Sequence, residues 1–187
     1  IMATPLDLRE QLEQVLKTLS EQTGMDRGMI SVLDRDTGEA ILDVAHGVDI
    51  DGLDITYKPG EGITGQVAQT GKPVVIANLG KEEHFLDRTG ARRFLDRSEL
   101  SFLCVPIIYD GKVEGVLSAD KVARQVDNQD YELRFLSEVA DLIAKAVHTR
   151  AIEEENRRLK NILGRTQRPS SEIVGNSKGM REVFGLI

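Results

Sequence analysis

The sequence has no tryptophan, one cysteine, three histidines and few aromatic residues, 4% in all. A single thiol, Cys104, excludes an intrachain disulfide and any chemistry that needs two cysteines. His46, His84 and His148 are scattered, with no ligand spacing for a metal. No Ser–His–Asp or Cys–His arrangement is legible, so no catalytic residue is assigned. No apolar run reaches the roughly 18 residues that span a bilayer. No charged segment followed by an apolar core marks a signal peptide. These absences predict a cytoplasmic protein with no membrane contact. Ile1 ahead of Met2 reads as a cloning remnant.

What is present suits one domain plus an appendage. The chain has 187 residues, 40% hydrophobic and 29% charged, with 31 acidic residues against 24 basic and a formal charge of −7. That balance speaks against direct DNA binding by bulk charge.

Leu8, Leu12, Val15, Leu16 and Leu19 recur at helical spacing, predicting a helix over 6–23 with Pro5 at its start and Gly24 as its stop. Two β-prone segments, 28–33 and 39–46, flank the polar turn Asp34–Gly38 and predict a hairpin. Residues 56–71 are glycine-rich. Gly60, Gly62 and Gly65 precede a short helical pattern and read as a tight turn rather than a phosphate cradle, because they do not fit a G-x-G-x-x-G that follows a strand in a βαβ unit. A strand follows at 74–77. Residues 78–99 are charged and weakly patterned, predicting a cover over one sheet face. They contain Phe-Leu-Asp-Arg twice, at 85–88 and 94–97. On a helix, that nine-residue offset would put the copies on opposite faces. Strands at 101–109 and 112–119 meet at Asp110-Gly111, a two-residue hairpin signal. A long helix spans 128–163. The resulting fold class is α+β: a central antiparallel sheet, terminal helices on one face, and a loop and short-helix lid on the other.

The stretch Gly60-Glu-Gly-Ile-Thr-Gly-Gln-Val-Ala-Gln-Thr-Gly-Lys-Pro-Val, then Val105-Pro-Ile, then Gly111-Lys-Val-Glu-Gly-Val-Leu resembles the GAF family over about residues 6–150. Ile173-Val-Gly-Asn-Ser-Lys-Gly-Met-Arg-Glu-Val-Phe resembles the entry to the AAA+ domain of sigma-54-dependent activators. No G-x-x-x-x-G-K-[ST] loop occurs, so no ATP hydrolysis is expected of this chain. The expected organisation is a GAF domain at 1–150, a coiled-coil stalk and linker at 151–170, and a truncated AAA+ start at 171–187. Phe85-Leu-Asp-Arg ahead of Val105-Pro-Ile resembles, among those activators, the Nif-specific regulators that control nitrogen-fixation genes.

The resemblance implies a ligand pocket beneath the lid. Arg88, Arg92, Arg93 and Arg97 are its candidate anion clamps, since a guanidinium grips a carboxylate with two parallel bonds. Gly62, Thr64, Ser101 and Asp120 complete the candidate lining. The implied ligand is 2-oxoglutarate or another small anion. Cyclic nucleotides fit less well: where cGMP-binding relatives carry Asn-Lys, Phe and Asp-Glu, this chain has Asp120-Lys121, Val126 and Asp130-Tyr131. Cys104, mid-strand between apolar neighbours, reads as a structural thiol. Ile152, Asn156, Leu159 and Leu163 alternate as d and a positions with Asn156 at a, predicting a parallel dimer stalk. The partners implied for the full-length protein are a second copy, sigma-54 RNA polymerase and promoter DNA. The alternative reading is a ligand-free dimerisation and docking module.

Overall fold

The structure, a computed structural model, describes residues 5–123 and 128–166. The predicted AAA+ entry at 171–187 lies outside the described residues, as do Val126 and the side chain of Leu163. One compact unit closes at Glu153, and residues from Glu154 form a second.

Helix α1 spans Pro5–Thr23. Proline is its first residue, where the missing N–H costs nothing. Gly24 stops it with φ +70° and an amide donating to Ser20 O at 2.9 Å, the left-handed cap that favours glycine. Strands β1 (Arg27–Leu33) and β2 (Ala40–His46) form the expected hairpin. The Asp34 side chain accepts from the amides of Asp36 and Thr37 at 2.9 and 3.0 Å, which fixes the polar turn. A two-residue strand, β3 (Thr56–Tyr57), edges the sheet and was not anticipated. Helix α2 (Gly62–Thr70) leads to β4 (Val74–Ile76). Two single-turn 3₁₀ helices lie within the covering segment. Strands β5 (Leu100–Tyr109) and β6 (Lys112–Val122) are the longest, and α3 runs from Gln129 to Thr166. Asp110 and Gly111 both have positive φ, 51° and 74°, as the two-residue turn demands.

The sheet is antiparallel, in the order β3-β2-β1-β6-β5-β4. Alternation along β5 and β6 separates two cores. Leu103, Val105, Ile107, Leu117 and Ala119 pack with Leu12 and Leu16 of α1 and with Leu136, Ala140, Ile143 and Val147 of α3. Phe102, Cys104 and Val116 face the other way, against Ile63 and Val67 of α2 and Leu79 and Phe85 of the lid.

A bulge breaks the β5–β6 register between Ile107 and Ile108, leaving Glu114 unmatched. Bulges re-aim side chains. Here Glu114 is buried, takes Arg35 Nη2 on both oxygens at 3.0 and 2.9 Å, and lies 3.0 Å from His148 Nδ1 on α3. The next residue, Gly115, faces α3 so closely that a Cβ would sit 2.5 Å from Ser31 O and 2.9 Å from Val147 Cγ1. Arg150 adds a fork onto Asp43 of β2 at 3.0 and 2.8 Å. Helix α3 is therefore fastened to the sheet by both packing and paired charge.

Candidate functional site

On the lid face, three neighbouring strands bring one residue each to a common patch. Register places Arg27 of β1 and Phe102 of β5 on either side of Asp120 of β6. The covering segment supplies Phe85, Asp87 and Arg92 from above. Arg92 is only 2% exposed and Asp120 is fully buried. Arg92 Nε donates to Asp120 Oδ2, and its Nη1 and backbone N each donate to Asp87 at 3.0 Å. Arg27 Nε lies 2.6 Å from Asp120 Oδ1 as an ion pair. The Arg92 guanidinium also lies 5.1 and 5.8 Å from the rings of Phe85 and Phe102, a cation over aromatic faces. Its Nη2 is buried and has no hydrogen-bond partner.

Burial pushes the Asp120 carboxyl up, and the guanidinium charges of Arg92 and Arg27 pull against that rise. Burial likewise raises the Tyr57 phenol, opposed by Arg92 and Arg88. Arg88 is more peripheral. It pairs with Glu61 and stands 5.3 Å from the Tyr57 ring centre. The Lys58 amide, bonded to Glu61 Oε2 at 2.9 Å, and then Arg88 hold the Glu61 carboxyl below its ordinary value.

The other candidates divide. Arg97 donates to Leu79 O at 3.3 Å, lies 5.3 Å from the Phe85 ring and has a buried Nε without a partner. Arg93 is exposed beside Gly90 and joins nothing in the patch. Gly62, with φ +58°, runs under Leu86 and His84 O, where a Cβ would meet atoms at 3.1 and 3.3 Å. Its neighbour Gly65 lies so near Lys58 O that a Cβ would come within 2.1 Å. The glycines thus make a tight turn under the lid, as expected. Thr64 is buried on the lid side of the sheet, where its hydroxyl works against the burial that raises the Cys104 thiol. Ser101 is corrected: it faces α1 and α3, because alternation puts it with Leu103 and Val105 and its register partner Lys121 reaches Glu132 of α3. It lies across the sheet from the arginines. Four members of the patch escaped the sequence reading. Arg27 and Phe102 become visible only through strand register, and Asp87 and Phe85 only through the path of the lid.

The repeated tetrapeptide resolves into two unlike environments. The covering segment is turns and 3₁₀ helix, not one helix, so the opposite-face argument does not apply. Phe85 is buried, while Phe94 is 93% exposed. Asp87 holds Arg92, whereas Asp96 caps a turn by accepting from the Ser98 amide at 2.9 Å. Of the stalk positions, Ile152, Asn156 and Leu159 are exposed.

Cys104 is fully buried, and burial raises its thiol pKa far above the ordinary range. The thiolate is the reactive form. In native buffer at pH 8 it should therefore resist Ellman's reagent, then react stoichiometrically once guanidinium unfolds the chain. Fast native labelling would contradict the packing.

An antiparallel sheet with terminal helices on one face and a lid closing over buried polar groups on the other is the arrangement of a GAF domain. The chain belongs to the GAF domain family, whose model matches residues 7–147. It is similar to the nitrogen fixation protein VnfA of Azotobacter vinelandii, 36% identical over 97% of this chain and 36% of that protein. It is also similar to the Nif-specific regulatory protein of Azospirillum brasilense, 34% identical over 100% of this chain and 32% of that protein. The chain thus spans about a third of the length of these relatives. Among solved structures it resembles the nlh2 GAF domain of A. aeolicus, crystallised in an inactive state, with a TM-score of 0.60 and 26% identity, covering 79% of this chain and 85% of that one.

Proposed function

We propose that this chain is the regulatory GAF domain of a Nif-type transcriptional activator, and that it senses a small anion beneath its lid. One observation carries the reading. Arg92 is a buried guanidinium whose Nη2 lacks a partner and whose other nitrogens bind the chain's own carboxylates, Asp87 and Asp120. Buried polar groups are normally satisfied, and an orphan marks a place where a ligand or water belongs. The internal carboxylates stand where a ligand's carboxylate would bind, so the anion competes with them. Arg27 and Arg97 extend the positive character; Arg88 serves the rim.

Binding would bias two arrangements of α3, and only differential affinity for the two can drive the switch. In the whole protein this restrains or releases a downstream AAA+ ATPase acting on sigma-54 RNA polymerase at promoter DNA. The fragment itself neither catalyses nor binds DNA. A cytoplasmic location follows from that role, and among the described residues no helix is long and apolar enough to cross a membrane.

Titration calorimetry with 2-oxoglutarate tests the ligand. Heat is expected in the millimolar range or below. Asp87→Asn removes a competing carboxylate at constant size and should tighten the anion. Absence of heat at millimolar 2-oxoglutarate would remove that ligand. Equal affinity of every carboxylate tested for wild type and D87N would remove the clamp. One feature favours the second reading, a ligand-free docking module: apolar side chains, including Phe85, Phe102 and Leu79, fill much of the lid-side interior.

A further inference from the structure

The sheet comes apart at one end, where a cleft of about 460 Å³ opens between two hairpins. Strands β1 and β6 stop pairing at Val32–Gly115. Beyond that point β1 turns away with β2 and β6 with β5, and His148 of α3 lines the gap between them. Glu114, on the cleft wall, is six residues from Asp120 on β6, about 20 Å along the strand. The cleft and the lid patch are therefore separate places on the molecule.

Some of its lining residues hold one another. Glu114 takes Arg35 Nη2 on both oxygens, and His148 Nδ1 lies 3.0 Å from the same carboxylate. The Tyr109 ring stacks on His148 with centres 4.4 Å apart. These contacts fix the walls without using up the polar groups. Arg35 engages Glu114 and His148 through Nη2 alone, which leaves its Nη1 and Nε for another acceptor. The Tyr109 hydroxyl has no hydrogen bond among the described residues. Asp110 and Lys112 stand on either side of Gly111, and neither side chain has an ion pair among the described residues.

A cavity of this size is typical of a small-molecule site. Its unspent groups carry both signs. A plain anion would meet the carboxylates of Asp110 and Glu114, and a plain cation would meet Arg35 and Lys112. A zwitterion answers both, because each of its charges can face a protein group of opposite sign. The stacked rings of Tyr109 and His148 add a flat wall for a side chain.

We propose that this cleft is a second ligand site and takes a free amino acid. The ligand carboxylate lies on Arg35 and Lys112, its ammonium on Asp110, and its side chain along Tyr109. The site does not use the lid patch and does not depend on what the lid binds.

Two-dimensional NMR of the nitrogen-15-labelled 187-residue chain tests this, with each of the twenty amino acids added singly at about 10 mM, well above the Kd of a weak effector site. At least one should shift the resonances of Tyr109, Lys112, Glu114 and His148 while leaving Arg92 and Phe102 unmoved. The N-acetyl form of that amino acid lacks the positive charge, and its amide lacks the negative one. Each should bind about tenfold more weakly, the loss of one charge-assisted contact. Lys112→Met and Asp110→Asn should weaken the parent amino acid by a similar factor. Both positions are exposed, and asparagine tolerates the Asp110 φ of 51°, so melting temperatures without ligand should match wild type. D110N should leave the N-acetyl form unaffected, because the partner it removes has nothing left to hold. Silence from all twenty amino acids would overturn the proposal. So would shifts confined to the lid, which would assign the ligand to the Arg92 patch, or affinities indifferent to K112M and D110N.

Discussion

Asp120→Ala is expected to lower the unfolding free energy by about 3–5 kcal/mol, the usual cost of breaking a buried ion pair from one side. For a chain of this size that corresponds to a fall in Tm of roughly 6–20 °C. The reason is what remains behind. Asp120 is fully buried between Arg92 and Arg27, whose side chains are 2% and 13% exposed. Removing the carboxylate leaves Arg92 with Asp87 alone and leaves Arg27 with no charge partner in the patch. Burial raises the Asp120 carboxyl, with the two guanidiniums opposing. The pair is therefore no great source of net stability, yet its half-removal is costly, because a desolvated cation without a counter-charge is worse than either the intact pair or an apolar substitute. Urea denaturation of wild type and D120A measures the cost. A D120A cost below about 1 kcal/mol would show that the charges are solvated and that the lid does not close over them.

Gly115→Val should cost about 3 kcal/mol, at the upper end for overpacking. Its Cβ would meet Ser31 O of β1 at 2.5 Å and Val147 Cγ1 at 2.9 Å. Neither neighbour has room to yield. The first is backbone in the middle of the sheet, and the second is fully buried on α3. The variant is expected to push α3 off the sheet near its fastening to Glu114 and Asp43. Amide exchange should therefore quicken along residues 136–151 more than in β1. Adding Val147→Ala removes one of the two clashes, so the double variant should cost less than the sum of the singles. Strict additivity would mean that the strain is absorbed within the sheet alone.

Much of the fold was legible because its signals are local. The α1 stripe, the Asp34 turn, the Asp110-Gly111 hairpin and the apolar runs of β5 and the first part of β6 declare themselves within a few residues. The limits appear where tertiary pairing overrides local character. Strand β6 was expected to end at Ala119, since Asp120 and Lys121 are charged. It continues to Val122 because both charges are buried against partners, Arg92 and Arg27 for one and Glu132 for the other. Strand β3 has two residues and no pattern to read. The candidate site divided along the same line. Four lid arginines were indistinguishable in sequence, all cationic in a weakly patterned segment. Only the path of the lid separates Arg92, packed between two aromatic rings and two carboxylates, from Arg93, which is exposed beside Gly90. Ser101 was misplaced because the sequence does not say which face of β5 meets the lid; alternation with Leu103 and Val105, and pairing with Lys121, turn it toward α1 and α3.

The lone sulfhydryl, sealed inside β5 against Thr64, also makes this chain a convenient optical reporter. A protein whose one native thiol is silent needs no background substitution before a dye is attached. Phe94→Cys would carry a fluorophore on the outermost point of the lid, and Leu142→Cys would carry one on the helical flank. The same unmutated interior would then let one label report on the lid and the other on the helical face, each read separately in solution.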